Sequence, residues 1–228
     1  MPNKHDMSGA LYGRRKGHKL SPTKQDRMEN LLPRLRVPAG AIADPQALFD
    51  VPVKEVWLEI GFGGGEHLLG MAERHPDIGF IGCEPFINGA AKLLAGIDEK
   101  NIGNIRIHDA DAVDLLPRLP VASFDRAYLL YPDPWPKRRH NKRRFISTER
   151  LTMLARLLKP GALFRFASDI DDYAAWTLRH IAASTELDWP AEKSSDWTKP
   201  FEGWISTRYE AKAFREGRKP SYLTFVRR

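Results

Sequence analysis

Glu59-Ile60-Gly61-Phe62-Gly63-Gly64-Gly65-Glu66 decides the fold. It closes an apolar run, Val56–Gly61, and opens a helical pattern over 66–75. Glycines at 61, 63 and 65 permit a tight turn and a close approach of backbone to a ligand. Outward from it, short apolar runs predict further strands at Phe80–Cys83, Ile105–His108, Asp125–Leu130, Ala162–Ala167 and Ser221–Val226. Helical patterns alternate with them at 86–99, 111–118, 147–158, 171–184 and 207–217. In the 147–158 helix, Ser147 suits the N-cap, Leu151, Leu154, Leu157 and Leu158 fall at helical spacing, and Lys159-Pro160-Gly161 stops the helix. The alternation predicts an α/β fold with an open, mostly parallel sheet and helices on both faces. Ligands of such sheets bind beyond the carboxyl ends of the strands.

The glycine spacing is acid-x-G-x-G-x-G, which departs from the dinucleotide fingerprint G-x-G-x-x-G. Glu59, two residues before the first glycine, is a poor neighbour for a pyrophosphate. It suits a ligand with positive charge, such as the sulfonium and ammonium of S-adenosylmethionine. Glu84 follows the second strand, where a carboxylate accepting ribose hydroxyls is expected. Asp111 follows the third and can face an adenine amino group. Each acid alone also reads as a helix cap or a surface charge. Three acids at successive strand ends beside a glycine loop favour a ligand site.

The stretch Tyr131-Pro132-Asp133-Pro134-Trp135-Pro136 fixes an acid and an indole among three prolines. Residues 137–144 then carry six Lys or Arg in eight positions. A rigid acid beside an aromatic face suits a nucleobase, and a cationic run suits phosphate. The net charge of +7 is unevenly spread. Residues 1–25 hold +5 and residues 137–144 hold +6, so the rest of the chain is mildly acidic at −4. That asymmetry points to a polyanionic partner, though a solvated tail and loop would look similar. Residues 1–25 read as a flexible basic arm and 26–228 as a single domain, with 26–50 a packed lead-in. No apolar run reaches the ~20 residues that span a bilayer. A lone Cys83 excludes an internal disulfide and is consistent with a cytoplasmic protein.

From about residue 53 to 228 the chain resembles the bacterial tRNA (guanine-N7)-methyltransferases. The motifs carrying this are Leu58-Glu59-Ile60-Gly61-Phe62-Gly63, Gly82-Cys83-Glu84-Pro85, Pro132-Asp133-Pro134-Trp135, Arg139-His140-Asn141-Lys142-Arg143-Arg144, Ser168-Asp169 and Thr207-Arg208-Tyr209-Glu210. The basic arm at Tyr12-Gly13-Arg14-Arg15-Lys16-Gly17 is similar more loosely. Pro136 departs from the family, whose residue there is variable and often polar. The resemblance implies a class I methyltransferase fold: a Rossmann-like seven-stranded sheet whose last strand is antiparallel. It implies methyl transfer from S-adenosylmethionine to nitrogen-7 of a guanine in the tRNA variable loop. It places cofactor contacts on Glu59, Gly61, Gly63, Glu84, Asp111 and Asp133. Substrate contacts fall on Lys137, Asp169, Thr207, Arg208, Tyr209 and Glu210, and RNA contacts on Arg139, His140, Asn141, Lys142, Arg143 and Arg144.

Guanine N7 carries a lone pair, so attack on a methyl group needs no strong general base. The chain fits: no His–Asp or Cys–His arrangement lies near the strand ends, and no metal cluster is evident. Asp133 is the expected catalytic residue, with Asp169 a second acceptor on the base or an orienting group. Trp135 either stacks on a ring or packs the loop. Thr207 and Glu210 also read as a capping box. No metal, membrane or obligate protein partner is expected. Two rival readings remain: an amino-group methyltransferase on DNA or RNA, because Pro132-Asp133-Pro134-Trp135 is a cousin of the acid/Asn-Pro-Pro-aromatic pattern, and a non-catalytic tRNA-binding module.

Overall fold

The computed structural model describes Gly13 and residues 15–228. The chain enters through α1 (Pro22–Asn30) and α2 (Leu32–Leu35). Arg36 bridges to Ile107, and Val37 N–H donates to Ile107 O at 2.9 Å, so the lead-in runs along a sheet edge. Strands and helices then alternate: β1 (Glu55–Ile60), α3 (Glu66–Arg74), β2 (Ile78–Cys83), α4 (Ile87–Lys100), β3 (Ile105–His108), α5 (Ala112–Leu115), β4 (Phe124–Leu130), α6 (Thr148–Leu157), β5 (Leu158–Ser168) and α7 (Asp171–Ala182). The chain ends with β6 (Leu187–Asp188), α8 (Ser195–Thr198), α9 (Arg208–Arg215) and β7 (Ser221–Arg227).

The described residues form a seven-stranded sheet in the order β3-β2-β1-β4-β5-β7-β6. β1 to β5 pair in parallel; β7 is antiparallel to both β5 and β6. The predicted α/β architecture and antiparallel final strand are therefore found. β2 and β3 are buried at every position, as expected of parallel strands covered on both faces. One core lies on each face. Leu58, Ile60, Phe164 and Phe166 point to one, and Trp57, Phe80, Tyr128 and Tyr222 to the other. The order reverses at β1, with β2 on one side and β4 on the other, which opens a crevice above these two strand ends.

Several local expectations change. α1 begins at Pro22, so helix starts before the expected arm boundary at residue 25, and Arg15, Gly17 and His18 are hydrogen-bonded to α4. Residues 1–12 and Arg14 of the expected arm lie outside the described residues. Ser147 does cap α6, its hydroxyl accepting from Arg150 N–H at 3.3 Å. Lys159-Pro160-Gly161 does not separate α6 from a later strand. Leu158 turns extended, and these residues already belong to β5. The short β6 has no clear sequence signal, because two residues carry no alternation.

Candidate active site

β1 delivers the glycine loop to the crevice. Gly61 and Gly63 have φ of +70° and +56°, a region that other residues enter only with strain. Gly61 N–H donates to Cys83 O at 2.8 Å, which docks the loop on β2. Gly63 N–H donates to Glu84 Oε2 at 2.7 Å, and Phe86 N–H donates to Glu84 Oε1 at 2.9 Å. Glu84 thus ties the glycine loop to the start of α4. Burial pushes its carboxyl up, against the two backbone bonds that pull it down. Contact between the loop and α4 depends on Gly89: a Cβ there would stand 2.2 Å from Gly63 O. Gly89→Ala is expected to displace the loop, at a cost of about 1–3 kcal/mol. Thermal unfolding and cofactor titration should both register it; a variant with parental melting and affinity would mean the helix yields freely.

Asp111 caps α5, its Oδ1 accepting from Val113 N–H at 3.1 Å, and lines the same cavity. Asp133 stands at the mouth, after β4. Surrounding protein raises its carboxyl above the usual range, although solvent reaches the side chain and offsets part of this. Glu84, Asp111 and Asp133, together with Gly61, Gly63, Tyr131, Trp135 and Tyr209, line a cavity of about 380 Å³.

The loop after β4 is held under strain. Tyr131 and Trp135 have φ of +50° and +44°, and each directly precedes a proline. Such conformations cost on the order of 1–3 kcal/mol each and need support from outside. Tyr131 N–H extends the β4–β5 pairing by donating to Ala167 O at 2.7 Å. Arg144 supplies more. Its Nε donates to Pro134 O at 2.8 Å, its Nη2 pairs with Asp172, and its guanidinium lies over Tyr173 and Trp176, 4.9 and 5.2 Å from the ring centroids. With its side-chain amide oriented to donate, Asn141 reaches Trp135 O and Lys137 O at 3.2 and 3.3 Å. Arg143 lies over the Trp135 ring at 4.9 Å and His140 meets its edge at 6.0 Å. Burial and the neighbouring cations hold His140 below its usual range.

Opposite, Thr207 caps α9 by accepting from Glu210 N–H at 3.2 Å. That puts Arg208 and Tyr209 against Gly63, where a Cβ would come within 3.2 Å of the Tyr209 ring.

The structure does not bring all the expected residues to the cavity. Glu59 is buried on the α3 side of β1, with His67 Nδ1 2.6 Å from its Oε2; alternation along the strand turns it toward that helix. Glu210 is 2% exposed and accepts from Trp204 Nε1 and Tyr222 Oη, so it completes only half of a capping box and does not line the cavity. Asp169 accepts from Arg218 Nε at 2.6 Å. Arg144, expected to contact RNA, is 1% exposed and bonded to the loop carbonyl of Pro134, so it braces the loop from beneath. Lys137, Arg139 and Lys142 face solvent.

Relatives named tRNA (guanine-N(7)-)-methyltransferase match the chain almost end to end. That of Brucella melitensis is 53% identical over 97% of this chain and 96% of its own, and that of Rhizobium meliloti 55% over 96% and 95%. Residues 53–223 also match a family described as putative methyltransferase. The chain belongs to the tRNA (guanine-N(7)-)-methyltransferase family. Solved structures share the fold at low identity. The 16S rRNA methyltransferase KamB aligns at TM-score 0.60 with 18% identity, covering 84% of this chain and 96% of its own. A putative methyltransferase from Streptococcus mutans, solved with SAH, aligns at 0.51 with 7% identity, covering 78% and 91%.

Three features of this tRNA (guanine-N(7)-)-methyltransferase family member escape a sequence reading. Tyr131 lines the cavity, a role hinted at only by its place before Pro132-Asp133. Gly13 also lines it, facing Asp133. Asn88 holds the arm there: its Oδ1 accepts from Gly17 N–H at 2.7 Å and its Nδ2 donates to His18 O at 2.8 Å. These contacts span some seventy residues of chain and leave no local pattern.

Proposed function

We propose that this enzyme transfers the methyl group of S-adenosylmethionine to nitrogen-7 of a guanine in the tRNA variable loop. The observation that carries the reading is the joining of Glu84, Asp111 and Asp133 around one cavity, with the Pro-stiffened basic loop forming its mouth. The donor set fits the cofactor. Gly61 leaves open space where a Cβ would stand, and the acids suit hydroxyl, amino and cationic groups. Glu84 and Asp111 are assigned to hold it; each carboxylate oxygen keeps a lone pair beyond its backbone bond. When bound, S-adenosylmethionine supplies a methyl group made electrophilic by the sulfonium.

The chain's task is then positioning, which contributes as much as ~7–11 kcal/mol. Asp133 accepts from the amino and ring N–H groups on guanine's Watson–Crick edge, a donor pair that adenine lacks. Its fixed negative charge also favours the positive charge that develops on the base. Asp169 acts as an orienting group through Arg218, which already holds one of its carboxylate oxygens. Arg208 and Tyr209 wall the substrate side.

Lys137, Arg139 and Lys142 contact RNA phosphates and position the strand without reading sequence. The double variant Arg139→Gln, Lys142→Gln should lower the salt dependence of tRNA binding, d log K/d log[salt], by about 2. Cofactor affinity should stay at the parental value; a fall in it with an unchanged slope would make the loop structural. The deciding experiment treats bulk tRNA with pure protein and labelled cofactor, then maps the product. N7-methylguanine in the variable loop is expected. Methylation of an exocyclic amino group would point to the amino-group enzymes, and tRNA binding with no product to a non-catalytic module.

A further inference from the structure

Away from the cavity, the sheet face around β4 and β5 carries two arginines that form no ion pair among the described residues. Arg126 stands beside Trp57 in the β1–β4 register, and Tyr128 stands beside Arg165 in the β4–β5 register. All four side chains therefore project from one face. The Arg126 guanidinium lies 4.0 Å from the Trp57 ring centroid, and that of Arg165 lies 4.9 Å from that of Phe201. Arg126 Nη1 donates to Tyr128 Oη at 3.3 Å, and Arg165 is the register partner of Tyr128 on the adjacent strand. Two like charges thus flank one tyrosine. The Nε atoms of both arginines are buried without a hydrogen-bond partner.

Nearby acids do not neutralise the pair. Glu55 accepts from Trp57 Nε1 at 2.8 Å, and Glu202, which acts electrostatically on Arg165, is exposed. Burial and the charge of Arg126 hold Arg165 below its usual range. Half-buried cations without a counter-charge are costly, and an anion between them relieves both desolvation and repulsion. Stacking on Trp57 and Phe201 fixes the two guanidinium planes, and a fixed planar guanidinium is the donor geometry that matches phosphate. Leu163, Thr224 and Val226 on this face are only partly buried, so solvent reaches it.

We propose that Arg126 and Arg165 together bind one phosphate group. Arg126 lies four residues before the end of β4, roughly 13 Å below the cavity mouth by strand rise. A phosphate of the substrate strand is the favoured source, and that assignment alone rests on the tRNA reading above.

The test compares the parent with Arg126→Gln, Arg165→Gln. Titration with inorganic phosphate should raise the melting temperature of the parent and leave that of the variant unmoved. In tRNA binding, the variant should lower the salt slope by about 1, with S-adenosylmethionine affinity unchanged. Phosphate protection of the parent alone, with an unaltered tRNA slope, would assign the site to free phosphate. Equal phosphate response and equal slope in both proteins would overturn the proposal and leave the arginines as sheet packing. The phosphate arm needs no tRNA activity, so failure of the methylation reading would show separately. If the double variant does not fold, Arg165→Gln alone gives the same two readings.

Discussion

Asp133→Asn is expected to lower kcat by roughly 10²–10³-fold, the scale for losing one preorganised electrostatic group. The amide keeps the size of the side chain and one acceptor oxygen, so S-adenosylmethionine affinity should stay within a few-fold of the parent, as titration calorimetry would read it. What disappears is the fixed negative charge and the second acceptor on the guanine edge. A pH profile gives an independent check. Protein atoms around Asp133 raise its carboxyl above the ordinary range. The ionised form accepts the guanine N–H groups, so the rate is full at higher pH and falls as pH drops through that raised value. The asparagine variant should lack this acid limb. Near-parental turnover with cofactor binding intact would remove Asp133 from the chemistry.

Arg144→Gln should act through stability. The guanidinium is buried, bonded to Pro134 O and Asp172, and stacked on Tyr173 and Trp176. Asp172 is 60% exposed and regains water when its partner leaves, so that pair contributes little. The bond to Pro134 O and the stacking contribute more, for a loss of about 2–3 kcal/mol. In a domain of this size that corresponds to a fall in Tm of roughly 4–12 °C. Turnover should drop with it, because Arg144 restrains the strained segment from Tyr131 to Trp135. Arg144→Lys should rescue little, since an ammonium cannot fork between two acceptors and stack as well. If Arg144→Gln melted like the parent and altered only salt-sensitive tRNA binding, the residue would be an RNA contact after all.

These two residues lie eleven positions apart in one motif and show what a local reading sees. Both are polar residues in a stiff, charged loop, and by sequence alone Arg144 is indistinguishable from Arg139. Burial separates them: Arg139 faces solvent, while Arg144 sits over two aromatic rings supplied by α7. Glu59 and Glu84 divide similarly. Each is an acid near the end of a parallel strand, but Glu59 lies within its strand and turns toward His67, whereas Glu84 follows its strand and can turn to the glycine loop.

The sequence by itself determined the alternation of strands and helices, the position of the glycine loop and the acids at strand ends, because each is written in local spacing. Only the tertiary structure decided which acids reach the cavity, that Arg144 and Glu210 are buried and bonded within the fold, that Gly13 faces Asp133, and that Arg126 and Arg165 flank Tyr128. Those facts depend on which face of a strand a side chain takes and on contacts between segments far apart in the chain. Burial and pairing arise only when the layers close on one another.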